Sequence, residues 1–130
     1  MATRDRRALI ILTHAFVGWA LCAATIGIGQ AIFSLHGALI LHAIGAPIYF
    51  FAVTRFYFAR YAYTTALRTA LAFIAFVMLV DFFLVGLVIN RSLEMFASPL
   101  GTWIPFALIF ASTWLTGYFS VPAGARHAPA

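Results

Sequence analysis

The sequence predicts an all-α integral membrane protein, a four-helix bundle whose transmembrane helices run up-down-up-down. The first observation is the composition: 65% of the residues are hydrophobic and 8% are charged, against about 25% charged in soluble domains. A water-soluble chain this small could not bury so much apolar surface. The second is that four apolar runs each reach the roughly 20 residues that span a bilayer. The third is the placement of the arginines. We therefore expect a single transmembrane domain over residues 1–130.

The first predicted span, residues 8–29, follows the charged start MATRDRR. It is longer than the 7–15 apolar residues of a signal-peptide core, which predicts a retained helix. Small residues lie four apart in it, as in Gly18/Cys22 and Thr25/Gly29, and this spacing favours close helix packing. Cys22 is the one cysteine of the chain, so an intramolecular disulfide is excluded.

The remaining spans are predicted at residues 35–57, 69–90 and 100–120, and residues 121–130 are expected to form a short flexible cytoplasmic tail. Because the links are short, consecutive helices are expected to pack antiparallel. Pro47, inside the second span, removes a backbone hydrogen bond and predicts a kink.

The fourth span carries a stripe of hydroxyl side chains within about 80° of arc. Each hydroxyl can bond to a carbonyl one turn earlier in its own helix. Alternatively, the stripe lines a polar path or faces the third span. Its members are Thr102, Thr113, Thr116 and Ser120.

The arginines predict the orientation. Seven of the eight, all except Arg91, fall on the side of the predicted bilayer that holds both ends of the chain. Positive residues mark the cytoplasmic side. We therefore expect a protein of the cell (inner) membrane with both termini in the cytoplasm, and we read the net charge of +5 as a topology signal. No nucleic-acid partner is expected.

Asp81, in the third span, is the strongest pointer to function, because a carboxylate in hydrocarbon is costly and normally has a partner. Counting about 1.5 Å per residue places the span midpoints near Trp19, Ala46, Leu79 and Phe110. Asp81 then lies about 3 Å and His42 about 6 Å outward of the midplane. We predict a His42–Asp81 pair that exchanges a proton, with Thr113 and Thr116 along the same ion, proton or polar path. The competing interpretation makes Asp81 a structural residue that joins helices, either protonated or bonded to a hydroxyl such as that of Thr113.

His14 lies about 7 Å inward of the midplane and is kept as a second polar site, with a buried, satisfied histidine as the alternative. The histidines lie at different depths, so two facing imidazoles for haem b are not expected. No Cys/His cluster with metal-ligand spacing is visible, and no cofactor is predicted. The sequence contains no recognisable nucleophile–base set, so an enzyme is not expected.

Two function classes follow from these residues. One is an oligomeric transporter or channel for an ion, proton or small solute, which uses Asp81 and His42. The other is a non-catalytic accessory or structural subunit of a larger membrane complex. The expected partners are the lipid bilayer and either further copies of the chain or other membrane subunits. In size and span count the chain resembles the small multidrug transporters, which carry an essential glutamate in the first helix. The first span here has no acidic residue, and the chain is not assigned to that family.

Overall fold

A computed structural model describes residues 2–89, 91, 94–97 and 99–120 of the chain. Four α-helices dominate it, as the sequence predicts: α1 (Ala2–Ile32), α2 (Leu35–Arg60), α3 (Ala66–Val80) and α4 (Ile104–Ser120). Helix α3 continues directly as a π-helix over Asp81–Ile89. A 3₁₀ turn, Glu94–Ala97, and a π turn, Pro99–Trp103, precede α4. The predicted tail, residues 121–130, lies outside the described residues.

Three helices are long and apolar enough to cross a membrane: Thr3–Ile32, Leu35–Arg60 and Ala66–Val88. The fourth apolar helix, Ile104–Ser120, is shorter at 17 residues, or about 26 Å. The predicted boundaries differ most in α1, which begins inside the charged start of the chain and ends three residues later than expected. The arginines there do not interrupt the helix, because they are good helix formers.

Each helix packs side by side with two others, so the four helices form a ring in the order α1, α2, α4, α3 and back to α1. Helices α2 and α3, although consecutive in the chain, therefore lie diagonally across the bundle; the sequence left the order of the helices undetermined. The link of five residues between Arg60 and Ala66 can extend about 17 Å. This is enough to cross the diagonal of a bundle with sides of 8–10 Å, which is about 13 Å.

Aromatic rings fill the centre of the bundle. Phe50 and Tyr57 of α2 lie across the diagonal from Phe73 of α3, with ring centroids 6.0 Å and 6.2 Å from that of Phe73. All three side chains are fully buried. Gly18 of α1 makes room for this cluster, because a Cβ there would lie 2.6 Å from the Phe50 ring. The small-residue face predicted in the first span is therefore real at Gly18.

The hydroxyl of Tyr57 holds the link between α2 and α3. It lies 2.8 Å from the Thr64 hydroxyl and accepts a hydrogen bond from the backbone N–H of Tyr63 at 3.1 Å. Thr64 in turn lies 2.6 Å from the hydroxyl of Thr69, in the first turn of α3. One buried side chain thus sets where the chain turns back across the bundle.

We expect Tyr57→Phe to lower stability by about 1–3 kcal/mol, because the link would lose two bonds to a buried oxygen while the ring packing remained. Thermal unfolding of the purified protein in detergent measures the loss. Tyr63→Phe is the matched control, since it removes a hydroxyl and leaves the backbone donor of Tyr63 in place. Equal melting temperatures for Tyr57→Phe and the wild type would show that the Tyr57 hydroxyl does not hold the link.

Candidate functional site

Asp81 lies where α3 changes from an α-helix to a π-helix. Its backbone N–H donates to the carbonyl of Val77, the i−4 bond of an α-helix, and also to the carbonyl of Met78, and the π-helix begins at this residue. A π segment adds residues to each turn and changes the face on which a side chain points; such segments are frequent at functional sites. No sign of this change is visible in the sequence, because the segment DFFLVGLVI is at least as apolar as the helix before it.

The carboxylate of Asp81 has a neutral partner from the neighbouring helix α1. The indole Nε1–H of Trp19 donates to Oδ1 of Asp81 at 2.8 Å. Both side chains are half-buried. Within the described residues no cation pairs with this carboxylate. The indole satisfies one acceptor position but cannot offset a negative charge. A proton, a cation or a further protein group is therefore needed wherever the surroundings are apolar.

His42 is buried in α2, with 7% of its surface exposed. Its Nδ1 has no hydrogen-bond partner among the described residues. The predicted His42–Asp81 pair is not formed, although the depth estimate placed the two residues in one layer. The reason is the ring order: α1, which carries Trp19, lies beside α3, whereas α2 lies across the diagonal.

The hydroxyl stripe of α4 is largely buried, and its members differ in their bonds. Ser120 donates to the carbonyl of Thr116 at 2.6 Å, which is the own-helix bond expected for such residues. The hydroxyl of Thr113 is fully buried and has no partner among the described residues. Thr116 is also buried, with 8% of its surface exposed. The carboxylate of Asp81 makes no hydrogen bond to this stripe in the described part of the chain.

Pro47 joins α2 to α4 through its carbonyl. Helix α2 continues through this residue from Leu35 to Arg60, and the size of the expected kink stays a prediction. The hydroxyl of Ser112 donates to the Pro47 carbonyl at 2.7 Å. Ser112 is not among the residues that the sequence singled out. The proline gives no signal for this bond, because the carbonyl that it frees in the helix is that of Ala43, four residues earlier.

His14 lies apart from Asp81, near the link between α2 and α3. Its Nδ1–H donates to the Ile10 carbonyl at 2.7 Å, and its ring contacts those of Phe56, Tyr57 and Tyr61 at 5.4–5.7 Å. These contacts give it the surroundings of a satisfied histidine.

A second polar pair that the sequence did not reveal joins α1 to α2. It consists of the hydroxyls of Thr25 and Tyr49, which lie 2.6 Å apart.

The described residues contain no group of three His, Cys, Asp or Glu side chains that could hold a metal ion. The polar residues instead form separate contacts between helices: Trp19 with Asp81, Thr25 with Tyr49, and Ser112 with the carbonyl of Pro47. No family model, curated protein or solved structure matches the chain.

Proposed function

We propose that the chain is a multi-pass protein of the cell inner membrane, with four spans and both termini in the cytoplasm. Three helices have the length and apolar character of spans. The π turn and α4 together cover residues 99–120, or about 33 Å, which matches the hydrocarbon thickness. Many large apolar side chains point outward, among them Leu9, Phe16, Ile28 and Phe119. An outer surface of this kind suits lipid better than water.

The arginine distribution supports the orientation. A single cysteine introduced at Thr3 or at Ser120, in a Cys22→Ala background, is expected to resist an impermeant thiol reagent until the cells are opened. Labelling of either position in intact cells would contradict the orientation.

We propose further that Asp81 binds a proton or a small cation in an oligomeric transporter or channel. The observation that carries this proposal is a half-buried carboxylate, deep in an apolar helix, whose one described partner is the neutral indole of Trp19. An ionised group in such a place costs from about 2.5 to more than 10 kcal/mol. A group that must be neutralised, and that is partly accessible, is suited to taking up and releasing a positive ion.

The path would run between copies of the chain. The centre of one bundle is filled by Phe50, Tyr57 and Phe73, which leaves little room there for a hydrated ion. Asp81 is half-exposed and has its partner on α1. We therefore propose that a second copy packs over α1 and α3 and completes the site.

His42, Thr113 and Thr116 have a separate role in this proposal. Two buried atoms have no hydrogen-bond partner among the described residues, namely Nδ1 of His42 and the hydroxyl oxygen of Thr113. Buried water commonly forms the missing hydrogen bonds of such atoms. Water at these atoms would lie on α2 and α4, on the side of the helix ring away from the α1–α3 face that carries the Asp81 site. Asp81 is the essential group in this proposal, and His42, Thr113 and Thr116 would bind water away from it.

The alternative function is an accessory subunit of a larger membrane complex. It is favoured by the extent of outward-facing apolar side chains, since protein could cover them as well as lipid. In that case the half-exposed Asp81 would meet a donor or cation from another subunit, and its role would be structural.

One preparation tests both functions. The protein is extracted in mild detergent, examined by native mass spectrometry, and reconstituted in liposomes that contain a pH-sensitive dye. Transport predicts a homo-oligomer and faster decay of an imposed pH gradient than in protein-free liposomes. Stoichiometric co-purification of other membrane proteins, with no flux of protons, Na⁺ or K⁺, would reject transport in favour of the accessory function.

A further inference from the structure

A groove runs along the outer surface between α2 and α4, near the end of the bundle that holds the start of α1. Its volume is about 350 Å³. Three small residues on α4 line it at intervals of four, namely Ser112, Thr116 and Ser120, and the rings of Phe51 and Phe119 stand beside them. Because short side chains repeat along one face, the groove extends for about 12 Å along the helix.

The groove presents an apolar surface despite its serines. The hydroxyl of Ser112 is used by the carbonyl of Pro47, and that of Ser120 by the carbonyl of Thr116. Neither proton is free for a ligand in the groove. The occupant must therefore be apolar along most of its length.

Arg55 supplies the one charge in the lining of this groove. Its side chain is exposed, and it forms no ion pair with the described residues. It lies five residues before the end of α2 at Arg60, or about 8 Å inside the end of the helix. Arginines at that depth extend along an apolar surface and place the guanidinium at the headgroup level.

We propose that this groove binds one anionic phospholipid, whose phosphate pairs with Arg55 and one of whose acyl chains lies between α2 and α4. The groove length of about 12 Å approaches half of the roughly 30 Å hydrocarbon core, which is the depth of one leaflet. The charge at one end and the apolar lining match a molecule with an anionic head and a hydrocarbon tail. Basic pockets between helices on the cytoplasmic side bind such lipids.

A second transmembrane helix fits the groove less well. An apolar helix would bring no anion to Arg55, the one charged residue in the lining. The phosphate offers the guanidinium a charge-assisted, two-pronged hydrogen bond. This lipid site is separate from Asp81 and does not depend on transport.

Native mass spectrometry of the whole protein, with phosphatidylglycerol or phosphatidylcholine added to the detergent, tests the site. The wild type is expected to retain one phosphatidylglycerol per chain and to lose phosphatidylcholine readily. Arg55→Gln is expected to weaken phosphatidylglycerol retention about tenfold, the loss of one good charge-assisted contact. Arg60→Gln, which changes an exposed arginine outside the groove lining, is the matched control and should bind as the wild type does.

Ser120→Leu tests the acyl-chain part by filling the groove, and it should also weaken retention. Gly27→Leu is its control, because a Cβ at Gly27 meets no atom within 4 Å. Equal retention by Arg55→Gln and Arg60→Gln would overturn the proposal. So would a changed oligomer distribution in Ser120→Leu with unchanged lipid binding, because a second copy of the chain would then occupy the groove.

Discussion

Replacing Asp81 by asparagine is expected to reduce proton or cation flux in reconstituted liposomes to the rate of protein-free liposomes, while the melting temperature in detergent stays close to that of the wild type. Asparagine keeps an oxygen that can accept the Trp19 N–H bond seen at 2.8 Å. It cannot take up and release a proton, and it carries no charge for a cation. The substitution therefore separates the chemistry of the carboxylate from its part in holding α1 to α3.

Trp19→Phe is the complementary variant, because it removes the indole donor and leaves the carboxylate in place. We expect its flux to persist, since the carboxylate that would take up the proton or cation remains in place. The melting temperature should fall, because a half-buried hydrogen bond between two helices is lost.

A structural role for Asp81 predicts a different result for the flux, and a fall in melting temperature whenever the bond to Trp19 is broken. Neither the wild type nor Asp81→Asn would then conduct, and Asp81→Ala would lower the melting temperature about as much as Trp19→Phe, since each breaks the same bond. That outcome would reject the transport proposal and favour the accessory function. A flux in Asp81→Asn equal to that of the wild type would place the conducting path away from this carboxylate.

The sequence predicted the helices well because their length and apolar character are local properties. Residues 35–60 and 66–88 are apolar over at least the width of a bilayer, and this needs no knowledge of their neighbours. The order of the helices was not predictable in the same way. Apolar side chains distinguish weakly between another helix and lipid, so the diagonal placement of α2 and α3 depends on particular contacts such as Phe50 with Phe73.

In the candidate site, too, the local property was predictable from the sequence and the neighbouring helix was not. Counting residues placed Asp81 near the layer of Trp19, and the structure joins these two residues. The choice of His42 as the partner was wrong because it depended on depth and on ionisable chemistry, while the actual neighbour depends on helix order. An indole in an apolar span looks like an ordinary hydrophobic residue, although its N–H needs an acceptor when buried. The change to a π-helix at Asp81 has no local sequence signal that we recognise.

Gly117→Leu is expected to destabilise the bundle more than any surface change of equal size. A Cβ at Gly117 would lie 2.8 Å from the ring of Phe58, 2.9 Å from the Cβ of Ala66 and 3.1 Å from the Ala66 Cα. The last of these is backbone and cannot be moved by a change of rotamer, so the start of α3 must shift away from α4. Overpacking of this kind costs about 1–3 kcal/mol, which for a chain of this size corresponds to roughly 3–15 °C in melting temperature relative to a Gly→Leu change that meets no neighbour.

Gly27→Leu provides the control for that experiment. It introduces the same side chain into a helix and gives the same gain of about 1 kcal/mol in helix propensity, but a Cβ at this position meets nothing within 4 Å. Its melting temperature in detergent should equal or exceed that of the wild type. If Gly117→Leu also melted at the wild-type temperature, helices α2, α3 and α4 could not meet at Gly117 as the structure places them. The close contacts of Gly117 with Phe58 and Ala66 would then not be what holds the diagonal path of the chain from α2 to α3.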